Sequence, residues 1–310
     1  MDTATARSAA RPMVIIEPVE RIVLAIIAAV FAACVVLAAL NDTATIDGPA
    51  YLMLAGLSLA LFAAGQFYRV SGRSPNIALA LTATALIVAF SNVTSVFNHL
   101  LMPIGRPVID PWLAGVDRAM GFNWPDFVAL VGRHPVFNMV IRLAYESILP
   151  QILLLVLTLG FLGRRLFLNR LLLIFPVTAL PMIGFWALFP SHGAFAVYAL
   201  SPAAVAEVNP ALSPDYAAGL LAMLRGGPGL ITPENVKGLI GFPSYHIAMA
   251  MICTYCALGS RALFWPLVVV NILVVPGSIV HGGHHLVDLI AGMLLFMAGL
   301  WATNRILARL

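Results

Sequence analysis

The chain has 310 residues, 61% of them hydrophobic and only 10% charged, with a mean hydropathy of +0.98 and a net charge of +4. A soluble domain carries about 25% charged residues. The composition therefore excludes a soluble globular enzyme, a disordered protein and a nucleic-acid-binding domain, and it reads as a helical membrane protein.

Eight apolar stretches suit membrane helices, which need about 20 residues each. They run over 22–40, 49–70, 76–101, 136–162, 171–190, 242–260, 262–281 and 283–304. Their apolarity is continuous rather than alternating, which excludes a barrel. The expected fold is an all-α polytopic transmembrane bundle of about eight spans.

Eight spans place both termini on one side. Arg106, Arg118, Arg133, Arg142, Arg225 and Lys237 fall on the other side, and the rest of the 17 Lys and Arg accompany the termini. The positive-inside rule then predicts cytoplasmic termini, with the 102–135 and 191–241 loops facing outward. The alanine-rich, lysine-poor composition suggests a bacterial inner membrane. Cys34, Cys253 and Cys256 sit inside apolar runs and read as packing residues rather than as a disulfide framework.

The two outer loops carry their own helical signals. Asp110-Pro111 is a helix start. The aromatics Trp112, Phe122, Trp124 and Phe127 predict a segment lying along the outer leaflet at headgroup level. Arg142 and Glu146 are four residues apart, the spacing of an ion pair on one helix. Ser213-Pro214 opens a short apolar helix that closes at Arg225-Gly226-Gly227. A loop of this length with its own helix is more often functional than passive.

All seven histidines fall on or near the outward side. His99, His134 and His192 stand alone and read as interfacial residues. His246 lies in Phe242-Pro243-Ser244-Tyr245-His246, where the sixth span begins. His281, His284, His285 and Asp288 are spaced to share one face if helical. Asp288 can then reach His284, which would fix the tautomer and leave the other ring nitrogen as a nucleophile. Two helix N-termini would point at one place, and helix N-termini attract anions. Histidines, a carboxylate and two such termini point to phosphoryl transfer. His281-x-x-His284-His285 also matches one box of membrane di-iron hydroxylases, but such a centre needs several boxes. A single zinc lacks a second group of ligands.

Pro243-Ser244-Tyr245-His246 resembles the second signature, Pro-Ser-x-His, of the phosphatidic acid phosphatase type 2 superfamily. His284-x-x-x-Asp288 resembles the end of its third signature, Ser-Arg-x5-His-x3-Asp. Gly283 to Gly292 is similar to the branch that contains inositol phosphorylceramide synthases and their bacterial relatives. The resemblance implies a six-helix core over 76–310, with 1–75 adding a cytoplasmic segment and two further spans. It also implies a metal-free, cofactor-free phosphohistidine mechanism. In it His284 is the nucleophile, Asp288 orients it, and His246 protonates the leaving alkoxide.

The implied substrate is a lipid phosphate, hydrolysed by water or transferred to an alcohol such as inositol. This sequence departs from the pattern: Gly277 and Ser278 replace the serine and arginine of the third signature, and the first signature is absent from the 191–241 loop. Arg225, Lys237 and Ser244 are the expected phosphate-binding residues, with Arg142 a weaker candidate. The missing arginines also leave open a non-catalytic relative that binds or moves phospholipid.

Overall fold

The structure, a computed structural model, describes residues 16–41, 44–212, 214–233 and 239–310. Arg7, Arg11, Ser213 and Lys237 lie outside the described residues. In chain order the helices are α1 (Pro18–Ala39), α2 (Gly48–Val70), α3 (Pro75–Leu100), α4 (Asp110–Ala119), α5 (Trp124–Gly132), α6 (Pro135–Glu146) and α7 (Ile148–Phe161). They continue with α8 (Arg165–Leu188), α9 (Pro202–Val208), α10 (Pro214–Gly226), α11 (Tyr245–Cys256), α12 (Arg261–Val280) and α13 (Leu286–Leu307). Local chemistry sets several of the starts. Asp47 accepts the Ala50 N–H and Ser74 the Ile77 N–H, each beside a proline in the first turn.

Six helices, α1, α2, α3, α8, α12 and α13, are long and apolar enough to cross a membrane. The chain is an all-α polytopic membrane protein. Two of the eight expected spans differ from single long helices. The 136–162 stretch divides at Ser147 into α6 and α7, and the Ser147 hydroxyl bonds back to the Ala144 carbonyl at 2.7 Å. Such back-bonding competes with the helical ladder and bends helices. The 242–260 stretch yields only α11 and a 3₁₀ turn over Ala257–Gly259. Hydropathy reports apolarity and not helix continuity, so it did not show either break.

Small residues let the helices approach closely. A Cβ on Gly160 would lie 2.5 Å from the Cα of Ala80, so α7 packs backbone to backbone on α3. Gly299 of α13 makes room for the Thr178 side chain of α8, whose methyl would lie 2.3 Å from a Cβ there. α1 and α2 rest mainly on α3, and α1 also touches α8. At one end of this group Arg69 donates twice to the buried Glu20, at 2.7 and 2.5 Å. Removing one partner of a buried pair leaves an uncompensated charge. Glu20→Ala is expected to lower unfolding stability by about 3 kcal/mol, read by denaturant titration in detergent.

A short parallel ribbon pairs β1 (Ala44–Ile46) with β2 (Gly229–Ile231). It ties the connection after α1 to the long connection after α10. Strands of three residues carry no periodic signal, so this ribbon was not expected. α4 and α5 also depart from expectation. Trp124 does not face the surface: it is fully buried, donates its indole N–H to the Ile279 carbonyl at 3.0 Å, and packs against Phe195 and Tyr198. A buried indole needs such an acceptor, and α5 supplies it by folding onto α12. Trp112 alone of the two is well exposed, at 65%.

Candidate active site

The site forms where α12 hands over to α13. His281 caps α12, and α13 begins only at Leu286. The turn between them needs its glycines. Gly283 has φ +63°, and a Cβ there would strike the Phe195 ring at 2.4 Å. The expected single helical face over His281–Asp288 is therefore corrected: Gly282-Gly283 breaks it, and the three histidines turn to different partners. His281 Nε2 lies 3.2 Å from the Asn138 carbonyl, His284 meets Asp288, and His285 faces α4. The His-x-x-His-His box is not gathered around one point. His134 caps α6, while His99 bonds Ser95 and His192 lies buried beside Trp186.

His284 Nδ1 stands 3.3 Å from Asp288 Oδ2, with both side chains buried. The same oxygen accepts the His285 N–H at 2.8 Å. Asp288 occupies the third position of α13, from which a carboxylate reaches back over the helix start. This is why the pair forms even though His284 precedes the helix. The Asp288 carbonyl in turn accepts the Ser244 N–H at 3.0 Å, which docks the start of α11 on the start of α13. His246, in the first turn of α11, places its ring centroid 6.2 Å from that of His284. On its other face it stacks on Tyr145 of α6, with centroids 4.2 Å apart and planes 20° from parallel.

The two helix N-termini are not equivalent. At α13 the N–H groups of Leu286 and Val287 already donate to Asp117, at 2.9 and 3.0 Å. At α11 the N–H groups of Tyr245, His246 and Ile247 find no acceptor among the described residues. Ser244, its cap residue, is fully buried with an unbonded Oγ. An anion would meet free donors at α11 and carboxylates at α13.

Of the expected cations, Arg225 and Arg142 lie among the described residues. Arg225 is exposed in the last turn of α10, with no hydrogen bond or ion pair to another described residue, and Lys237 lies outside the described residues. Arg142 pairs with Glu146 at 3.0 Å, as its spacing predicted, and also donates to the Asn209 carbonyl. Ser278, which stands where the resemblance expects arginine, is fully buried with an unbonded Oγ. Cys34, Cys253 and Cys256 are buried free thiols, as their apolar surroundings implied.

Sequence reasoning missed three residues here. Asp110 and Asp117 were not read as site residues, yet both are buried on α4 against His285. Tyr145 was not singled out at all. Acidic residues at membrane depth are rare and need partners, so the two aspartates could have been flagged, but nothing in their spacing names His285 as the partner.

Burial works against a charge on His285, but Asp110 and Asp117, helped by Asp288, outweigh it and push its pKa up to about 9. A group whose pKa is raised on folding contributes stability that is complete below its unfolded value and is lost as pH rises through its folded value. The melting temperature in detergent is therefore expected to fall between pH ~6.5 and ~9, and His285→Gln should flatten that slope. Burial pulls His281 the other way, down to about 4.

Residues 111–302 match a family model described as the PAP2 superfamily. The match covers more than half of the chain and contains Asp117, Tyr145, Ser244, His246, His284, His285 and Asp288, while Asp110 lies one residue before it. The chain belongs to the PAP2 superfamily, which supports a phosphatase-type chemistry on a lipid phosphate. No curated protein and no solved structure matched it.

Proposed function

We propose that the chain is an integral-membrane lipid phosphatase or phosphotransferase that works at the outer leaflet through a phosphohistidine. The observation that carries this reading is the buried His284–Asp288 pair facing His246 across 6.2 Å between ring centroids. With Nδ1 bound to Asp288, His284 Nε2 is the free nucleophile. It attacks phosphorus as the bond from phosphorus to the lipid oxygen breaks, and His246 gives its proton to the departing alkoxide. His246 then takes a proton from water or an alcohol, which attacks the phosphohistidine and frees His284.

Ser244 Oγ and the open start of α11 are the proposed phosphate donors, with Arg225 and Lys237 as the cations. Residues 76–310 form the proposed catalytic core, with the termini cytoplasmic in a bacterial inner membrane. The Gly283–Gly292 segment favours transfer to an alcohol such as inositol, in the manner of the inositol phosphorylceramide synthase branch.

The test is phosphate release from a panel of lipid phosphates in detergent, with EDTA and no added metal. Release by the wild type that His284→Ala abolishes is the expected result. Headgroup exchange with inositol, leaving diacylglycerol or ceramide, separates transfer from hydrolysis. Binding of lipid without any turnover, unaffected by His284→Ala, would favour the non-catalytic reading that the missing arginines suggest.

A further inference from the structure

His285 is not used in the mechanism above, yet it is fully buried between two carboxylates. Its side chain, like that of Asp110, is 0% exposed. Nε2 lies 3.6 Å from Asp110 Oδ1, and Nδ1 lies 3.5 Å from Asp117 Oδ2. A neutral imidazole carries one N–H, while carboxylates only accept. Neither separation is a hydrogen bond, but with a carboxylate oxygen beside each nitrogen the surroundings favour the charged imidazole, protonated on both.

The two aspartates are themselves anchored elsewhere. Asp110 accepts the Ser191 hydroxyl and the Gly193 N–H, both at 2.8 Å, and the His192 N–H at 3.1 Å. Asp117 holds the Leu286 and Val287 N–H groups. The circuit closes where the Ala194 N–H donates to the Gly283 carbonyl at 2.6 Å. The other ionisable groups nearby are Asp288, from the first turn of α13, and His192, from the turn after α8. Arg118 of α4 donates instead to the Tyr198 hydroxyl at 3.1 Å.

We propose that His285 is a positioning residue, a cationic imidazole clamped between Asp110 and Asp117 that locks the 283–286 turn, and with it the His284–Asp288 pair, onto α4. The clamp acts through backbone: it fixes the residue that follows the nucleophile and the helix that carries Asp288. It also offsets part of the carboxylate charge that would otherwise repel a phosphate. Its catalytic consequence rests on the function proposed above, whereas its charge state does not.

Two arms keep these apart. In the first, ¹⁵N-histidine spectra of the full chain in detergent are followed against pH. One imidazole is expected to keep both nitrogens protonated at about pH 8, and to be identified by its loss in His285→Gln or His285→Arg. Asp117→Asn should lower the pH at which it deprotonates by about one unit or more. A wild-type His285 that is neutral at pH 7 overturns the clamp.

In the second arm, kinetics on the best lipid phosphate should show kcat about tenfold or more lower in His285→Gln with KM within about twofold. His285→Arg, which keeps the charge, should recover most of the loss, while His285→Phe, which keeps only the bulk, should not. Wild-type kcat in His285→Gln or His285→Phe overturns the positioning role. Should the spectra behave as expected while the wild type releases no phosphate, the clamp stands and the lipid phosphatase reading falls.

Discussion

Replacing His284 by alanine is expected to reduce phosphate release to background, a loss of about 10³-fold or more, because the bond to phosphorus then has no nucleophile. Alanine also strands the buried Asp288 carboxylate without its imidazole. His284→Gln, which can still donate to Asp288, separates lost chemistry from lost folding: it should be equally inactive yet melt near the wild type. Wild-type enzyme quenched during turnover should carry an acid-labile, alkali-stable phosphoryl adduct, and both variants should lack it.

His246 gives a complementary result. Loss of a general acid costs about 10²–10⁴-fold, but only where the leaving group needs a proton. His246→Ala should therefore be severely impaired on a lipid phosphate and far less so on an aryl phosphate, whose phenolate departs unaided. Equal loss on both substrates would remove His246 from the acid role.

The second large effect is expected from Gly292, which touches no reacting atom. A Cβ there would lie 2.4 Å from the Ser244 carbonyl oxygen and 3.2 Å from the Ile247 Cβ. The obstacle is the backbone of the α11 cap, so it cannot rotate aside. Gly292→Ala must push the start of α11 away from α13 and stretch the Ser244 N–H bond to the Asp288 carbonyl. That bond sets the distance between the two histidines. A misplacement of about 1 Å in reacting groups costs about 10²-fold. The expected outcome is a kcat loss of that order with helical content retained. Gly184→Ala in α8, where a Cβ would meet nothing within 4 Å, is the matched control and should keep full activity.

Much of this site was legible before any coordinates. His284 and Asp288 meet because a carboxylate at the third position of a helix reaches back to its start, a consequence of local geometry alone. Ser244 and His246 fall together at the next helix start for the same local reason. The Arg142–Glu146 pair followed directly from its spacing. By contrast, the expected helical face through His281 and His285 failed, because the Gly282-Gly283 turn outweighed the periodicity.

Composition by itself determined that this is a polytopic helical membrane protein, since 10% charge cannot cover a soluble fold. Local spacing determined which residues would sit at the starts of α11 and α13. Only the tertiary structure decided what those helix starts meet. It placed Asp117 on the N–H groups of α13 and left those of α11 open, it turned Tyr145 onto His246, and it set His285 between two aspartates more than 160 residues earlier in the chain. Contacts across such separations depend on how helices stack, and stacking is set by close approaches such as Gly292 on Ser244 and Gly160 on Ala80. A periodic pattern records which face of a helix is buried, and it carries no record of the partner that buries it.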